Sequence, residues 1–166
     1  MALAYVALGS NLDDPLRQLR AAKVGLAGLG EVVGASSLYR TAPVGGPPGQ
    51  ADYLNAVVAL RPKALDPEAL LGELLALEAH QGRTRDVRWA ARTLDLDLLA
   101  YGDLTCSSPS LTLPHPRMMA RPFVLRPLCE VAPGWRHPLT HRSACETLAS
   151  LDPSGVVRTA LGWHDL

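Results

Sequence analysis

The chain has 166 residues, 48% of them hydrophobic, and its 16 Lys and Arg are matched by 16 Asp and Glu. That length and apolar content suffice for one compact domain with its own core, taken to span residues 1–166. Zero net charge argues against a general nucleic-acid surface or an acidic-membrane patch, so any basic site must be local. The opening MALAYVALGSN has no basic leader, and no apolar run approaches the ~20 residues of a membrane span, so a cytoplasmic protein without membrane or nucleic-acid partners is expected. Cys106, Cys129 and Cys145 are an odd set without a CxxC pair and read as reduced thiols.

Ala2 to Gly9 is apolar on both alternating sets, the pattern of a strand covered on both faces. Asp14 and Pro15 supply an N-cap and a first helical position, followed by Leu16, Leu19, Ala22, Leu26 and Leu29 at helical spacing and Gly30 as a stop. Glu31 to Arg40 reads as a second strand. Thr41 to Gln50, TAPVGGPPGQ, holds three glycines and three prolines, so it is a loop: a lid or binding loop on one reading, a connector on the other. In the next strand, Asp52 to Leu60, Leu54, Ala56, Val58 and Leu60 take one face, and Tyr53, Asn55, Val57 and Ala59 the other. An aromatic plane beside an amide suits a flat, hydrogen-bonding heterocycle, although such a pair also occurs structurally at a strand start. Asp66-Pro67 opens a second helix whose stripe, Leu70, Leu71, Leu74, Leu75 and Leu77, ends before Gly82. Glu78 and His80 fall in its last turn.

Arg83 to Asp97, RTRDVRWAARTLDLD, follows, with Arg83, Arg85, Arg88 and Arg92 interrupted by Trp89 and ending in Asp95 and Asp97. Leu94, Leu96 and Leu98 alternate with the two acids, the period of a strand with one buried face. Carboxylates two apart on a strand sit roughly 6.5 to 7 Å from each other. They repel unless a divalent cation or neighbouring arginines neutralise them, and magnesium is typically held by one or two carboxylates with water and phosphate oxygens completing the shell. Guanidinium groups fork onto phosphate oxygens, so the arginines suit a polyphosphate. Their spacing would equally make a solvated helix face.

Strand, helix, strand, strand, helix, strand is the order of the ferredoxin-like split βαβ, an α+β fold with an antiparallel sheet and both helices on one face. The remainder should cover the other face and give an αβα three-layer domain. Leu111 to Leu113 reads as a short strand leading to Pro114-His115-Pro116, Arg117 to Val131 as irregular helix broken by Pro122 and Pro127, and Arg142 to Leu151 as a short helix. His115, held between prolines, suits a phosphate contact or a surface loop. His137, His141 and Cys145 recur every four residues, but Pro138 disfavours helix at His137 and with it a zinc face. The phosphate loops GxxxxGK[ST] and GxGxxG are absent, so a nucleotide site must be built from side chains and metal.

The segments YVALGSNL, SSLYRTAPV, DYLNAVVAL, ARTLDLDLL, LTLPHPRM and RPFVLRPLCEVAP together resemble the 6-hydroxymethyl-7,8-dihydropterin pyrophosphokinases of folate biosynthesis. Members of that family move a diphosphate from ATP to a pterin alcohol and release AMP. The resemblance implies ATP as co-substrate, two Mg2+ ions held by Asp95 and Asp97, and an arginine loop (Arg83, Arg85, Arg92) that closes over the phosphates. It also implies that Trp89 caps the pterin, that Tyr53, Asn55 and Phe123 contact it, and that Thr41 and Val44 lie in a loop whose backbone meets it. His115 and Arg121 match triphosphate contacts, and Glu78 an acid on the ATP side. Arg83, Arg92, Asp95 and Asp97 are the catalytic set. The chain departs from the family pattern at Ala90-Ala91, where Gly-Pro is usual, in a loop before Trp89 that is one residue short, and at two positions the resemblance sets among the adenosine contacts: Ser110, an arginine in some members, and Leu75, a glutamine in some. The expected partners are small molecules, ATP and pterin, and the expected state is a monomer. Two other classes remain: a ferredoxin-like RNA-binding module, for which the strands lack an aromatic ladder, and an ordinary kinase, whose product would be ADP.

Overall fold

The computed structural model describes residues 2–12, 14–42, 51–82 and 94–164. Strand β1 (Ala4–Ser10) is buried along its whole length and stands inside the sheet, with β4 (Tyr53–Pro62) on one side and β5 (Asp95–Tyr101) on the other. Beyond β4 lie β3 (Tyr39–Thr41) and then β8 (Val156–Arg158), while β2 (Gly30–Ala35) pairs with the other half of β4. Every pairing is antiparallel, and the order β5-β1-β4-β3 is that of the split βαβ, with β2 and β3 sharing the place of its second strand.

The single strand expected over Glu31 to Arg40 is divided because Ser36 steps out of the ladder. Its amide donates to Val57 O at 2.9 Å, and its Oγ accepts from Val57 N at 2.9 Å, so a side chain replaces the main-chain acceptor at the break.

Helix α1 (Pro15–Ala27) starts where Asp14 caps the Arg17 amide, and it buries Leu19, Ala22 and Leu26 against the sheet. It stops earlier than expected, at a cap on Gly28. Gly30 instead begins β2, where the Arg61 carbonyl approaches too closely for any side chain. Helix α2 (Pro67–Gly82) opens on Asp66, whose Oδ1 accepts from Ala69 N at 2.8 Å. Its buried stripe is narrower than the leucine spacing implied: Leu70 and Leu74 are buried, whereas Leu75 is 52% exposed. Both helices cover the face carrying Leu54, Ala56, Val58, Leu60, Leu96 and Leu98.

The opposite face carries Tyr5, Ala7, Val57, Ala59 and Leu99, and it is covered by α3 (Pro122–Val131) and α4 (Ala144–Ala149). Three layers result, as expected. Contrary to the broken helix read from its prolines, α3 is continuous through Pro127. Pro122 occupies its first position, and the bond that Pro127 lacks would have run to Phe123 in the first turn, near the helix end. Ser143 and Glu146 form a capping box that starts α4. Cys129 and Cys145 are joined by a disulfide between α3 and α4, which corrects the reading of three reduced thiols; Cys106 is free.

The chain leaves β5 through a two-stranded hairpin, β6 (Cys106–Ser107) and β7 (Thr112–Leu113), that was expected to be loop on its first arm. A 3-10 turn at Met118–Ala120 leads into α3. Strand β8 had no periodic signal in three residues, and its pairing to β3 emerges only in the folded chain.

Candidate functional site

The sheet register assembles the site. Asp95 pairs with Gly9, Gly9 with Asn55, and Asn55 with Tyr39, so one row crosses four strands; Asp97 lies beside Ala7 and Val57 in the next row. Directly paired residues project from the same face. Both carboxylates therefore face the α3 side, while Leu96 and Leu98 enter the core on the other. Gly9 is required in this row: a Cβ there would lie 2.8 Å from Asn55 Nδ2.

At that end of the sheet, the N-terminus of α3 roofs a cavity of about 240 Å³. Its walls include Thr41, Tyr53, Asn55, Asp95, Asp97, Arg121 and Phe123, with Gly9 and Ala7 at its floor. Asn55 and Thr41 are buried, and among the described residues Asn55 Oδ1 and Thr41 Oγ1 have no hydrogen-bond partner. Such atoms cost about 1–3 kcal/mol each when left unpaired, so a ligand that pairs with them is favoured. The Arg121 guanidinium lies 5.7 Å from the centre of the Phe123 ring, leaving an aromatic plane beside a cation at the rim. The chemistry of this wall suits a flat heterocycle that carries N–H donors.

A second cavity of about 310 Å³ opens on the outer edge of β5. One end holds Asp97 and His115; the other is a slot between Leu71 and Leu75 of α2, Leu98 of β5, and the hairpin tip from Ser108 to Thr112. Asp97 thus lines both cavities, whereas Asp95 lines the first alone. His115 is anchored by its own amide, which donates to Leu99 O at 2.8 Å. Its Nδ1 accepts from Arg117 N at 3.2 Å, so the neutral ring carries its proton on Nε2 as a donor. Burial depresses its pKa, the Asp97 carboxylate opposes that shift, and Arg121 and Arg117 reinforce it.

Glu78 reaches from the end of α2 to the open edge of β5, where its Oε2 accepts from Leu96 N at 2.6 Å. It braces the strand between the two aspartates and also lines the second cavity. Among the described residues no group of three or more His, Cys, Asp or Glu gathers as a metal centre. A pair of carboxylates is nevertheless the donor set magnesium takes when phosphate oxygens and water supply the rest, so Asp95 and Asp97 fit that ion.

Of the residues expected from the sequence, Thr41, Tyr53, Asn55, Phe123, Arg121, Asp95 and Asp97 come together at the first cavity, and Glu78, His115 and Asp97 at the second. Val44, Arg83, Arg85, Arg88, Trp89 and Arg92 lie outside the described residues. His137 Nδ1 accepts from Leu139 N and Thr140 N in its own turn, and Cys145 is spent in the disulfide, so the zinc reading fails. Periodicity did not show the apolar slot: it put Leu71 and Leu75 in the helix stripe, whereas the resemblance set Leu75 and Ser110 at adenosine contacts, and the arrival of the hairpin opposite them makes the cavity.

The fold and site define a class: an α+β domain with a ferredoxin-like core that sets one carboxylate of an acid pair between two ligand-sized cavities. The 7,8-dihydro-6-hydroxymethylpterin-pyrophosphokinase profile matches residues 5–133, and the chain belongs to that family. Relatives named 2-amino-4-hydroxy-6-hydroxymethyldihydropteridine pyrophosphokinase include one from Synechocystis, 43% identical over 96% of this chain and 81% of its own. Another, from Pseudomonas aeruginosa, is 45% identical over 93% of this chain and 94% of its own. Among solved structures, Plasmodium falciparum HPPK-DHPS with pterin and p-hydroxybenzoate superposes with a TM-score of 0.72 at 15% identity, over 89% of this chain. An HPPK-DHPS in complex with substrates gives 0.71 at 13% identity, over 90% of this chain. The present chain spans 42% and 43% of those two longer chains, and the likeness is one of fold.

Proposed function

We propose that this protein transfers a diphosphate from ATP to the hydroxymethyl group of 6-hydroxymethyl-7,8-dihydropterin, releasing AMP, as a step of folate biosynthesis. The observation that carries this reading is the position of Asp97, a single carboxylate common to a polar, aromatic-rimmed cavity and to an apolar slot with a histidine at its phosphate end. The pterin occupies the first, pairing its N–H groups with Asn55 Oδ1 and Thr41 Oγ1 between Tyr53 and Phe123. ATP occupies the second, with its base in the leucine slot and its phosphates toward His115, Arg121 and Asp97.

Transfer of this kind asks a protein mainly to align reactants and offset charge. The hydroxymethyl oxygen attacks the β-phosphorus and releases its proton to solvent, its new bond replaces the bond from that phosphorus to the α,β-bridging oxygen, and AMP departs with the electron pair. Asp95 and Asp97 would hold two Mg2+ ions, which when bound neutralise charge on the phosphate oxygens. Glu78 keeps the strand beneath them straight through the Leu96 amide. The N–H donor of His115 and the guanidinium of Arg121 meet the phosphates. Arg83, Arg85 and Arg92 close over the triphosphate, Trp89 covers the pterin, and Val44 meets it from the preceding loop; these roles rest on the family resemblance. No helix among the described residues is long and apolar enough to cross a membrane. Because its own helices cover both faces of the sheet, we take it to act as a monomer.

Product analysis by ion exchange tests the reaction. Purified protein with ATP, magnesium and the pterin should form AMP in step with pterin diphosphate, and none without the pterin. ADP would indicate single-phosphoryl transfer and overturn the reading.

A further inference from the structure

The β6–β7 hairpin forms one wall of the slot in the second cavity, yet its tip is held from outside that cavity. Ser110 Oγ donates to Glu68 Oε2 at 2.8 Å, and Ser108 Oγ lies 3.2 Å from Glu68 Oε1. Both oxygens of one carboxylate, in the first turn of α2, therefore face hydroxyls from the hairpin turn. The turn itself is closed by Ser108 N donating to Leu111 O at 2.9 Å and by Leu111 N donating to Ser108 Oγ at 3.1 Å. One turn further along α2, Leu71 and then Leu75 form the facing wall. The width of the slot is thus the separation of α2 from the hairpin, and the Glu68 clasp ties the two together.

We propose that Glu68, with Ser110, is a positioning residue for the nucleotide: it holds the hairpin at the distance from α2 that grips the base. This rests on the reading of the slot as the base end of the ATP site. Glu68 touches no ligand in this account, since it does not line the cavity. Ser110 lines the slot but gives its hydroxyl to Glu68, so the position carries a tether in this chain and not a charged contact. The phosphate end is secured separately, by His115 N donating to Leu99 O and by Met118 N donating to His115 O at 3.3 Å. Loss of the clasp therefore loosens the base end alone.

Titration calorimetry with magnesium and α,β-methylene-ATP, which cannot transfer the diphosphate, reads the clasp without requiring turnover. Glu68→Ala should weaken binding about fivefold, the scale of losing a solvent-exposed, charge-assisted pair of hydrogen bonds. Glu68→Gln, whose amide still meets both hydroxyls, should restore most of that loss. Ser110→Ala should weaken binding in the same sense, and the Glu68→Ala/Ser110→Ala double variant no more than Glu68→Ala alone. Inorganic tripolyphosphate, which lacks a base, should bind all variants as it binds the parent. In steady state Glu68→Ala should raise the KM for ATP while kcat and the KM for the pterin hold. Unchanged nucleotide binding in both single variants, or an equal loss for tripolyphosphate, overturns the clasp. If Glu68→Ala fails to fold, Ser110→Ala decides alone. Absence of AMP from the parent enzyme would instead count against the reaction, which the calorimetry does not need.

Discussion

Asp97 is the residue on which both cavities depend, and its position follows from a strand period of two joined to an exposed sheet edge. Asp97→Ala should lower turnover by roughly two to three orders of magnitude, the scale of removing one charge-stabilising group, with the melting temperature little changed because the side chain is half-buried and off the core. AMP formation under saturating substrates checks this. Asn55 makes a different prediction. Its Oδ1 is already buried without a partner among the described residues, so ligand binding recovers a desolvation cost that the free protein bears. Asn55→Ala should raise the KM for the pterin about tenfold and leave that for ATP in place. Equal effects on the two substrates would show that Asn55 shapes the sheet and does not read the heterocycle.

At the scale of elements, two fastenings hold α3 where its N-terminus can roof the first cavity. Glu130 accepts from Ser37 N at 2.9 Å, Ser37 Oγ at 2.8 Å and Tyr39 OH at 2.7 Å, with Arg158 at 3.9 Å. Burial alone would raise its pKa, but these donors and the arginine outweigh burial and hold it below the ordinary 4.5. Because the folded value is the lower, the stabilisation is fully present above 4.5 and is lost as pH falls through the depressed value. The difference in melting temperature between the parent and Glu130→Gln should accordingly be constant near neutrality and shrink as pH drops below that window. The second fastening is the Cys129–Cys145 disulfide, which joins cysteines at a sequence separation of 16. Loops of that length stabilise by about 3 kcal/mol in the chain-entropy account. Reduction should lower the melting temperature of the parent and leave that of a Cys129→Ser/Cys145→Ser variant unmoved.

The whole molecule sets its two cavities apart along the sheet. The one proposed for the nucleotide is built on the β5 edge with α2 and the hairpin, and the one proposed for the pterin on β4, β3 and the start of α3. The C-terminal segment fastens the latter: β8 pairs with β3, Arg126 donates to Val156 O at 3.0 Å, and Trp163 Nε1 donates to Ser36 O at 2.8 Å, while Arg20 of α1 donates to Gly162 O at 2.9 Å, away from the β5 edge. A chain truncated after Asp152 should therefore melt at lower temperature and show a raised KM for the pterin, several-fold, while the KM for ATP is retained. Parallel titration of each substrate reads the difference. A larger effect on ATP would mean that strain at one edge reaches the other.

The sequence by itself determined the strand-helix-strand-strand-helix-strand order of the core, the alternation that sends Asp95 and Asp97 to one face and Leu96 and Leu98 to the other, and the caps at Asp14 and Asp66. These are local properties, set by side-chain period and by hydrogen bonds three residues long. Its family motifs also named most of the residues at the two cavities. Tertiary structure alone decided which residues become neighbours across the sheet: the row from Asp95 through Gly9 and Asn55 to Tyr39 exists only once register is set. It likewise decided that Leu71 and Leu75 line a slot, since a leucine stripe has the same period whether it meets a core or a ligand. Glu68 meeting Ser108 and Ser110, the bridge between Cys129 and Cys145, and the pairing of β8 were hidden for one physical reason. Each is a contact between segments whose own patterns are complete without it, and no periodicity records a partner that distant in the chain.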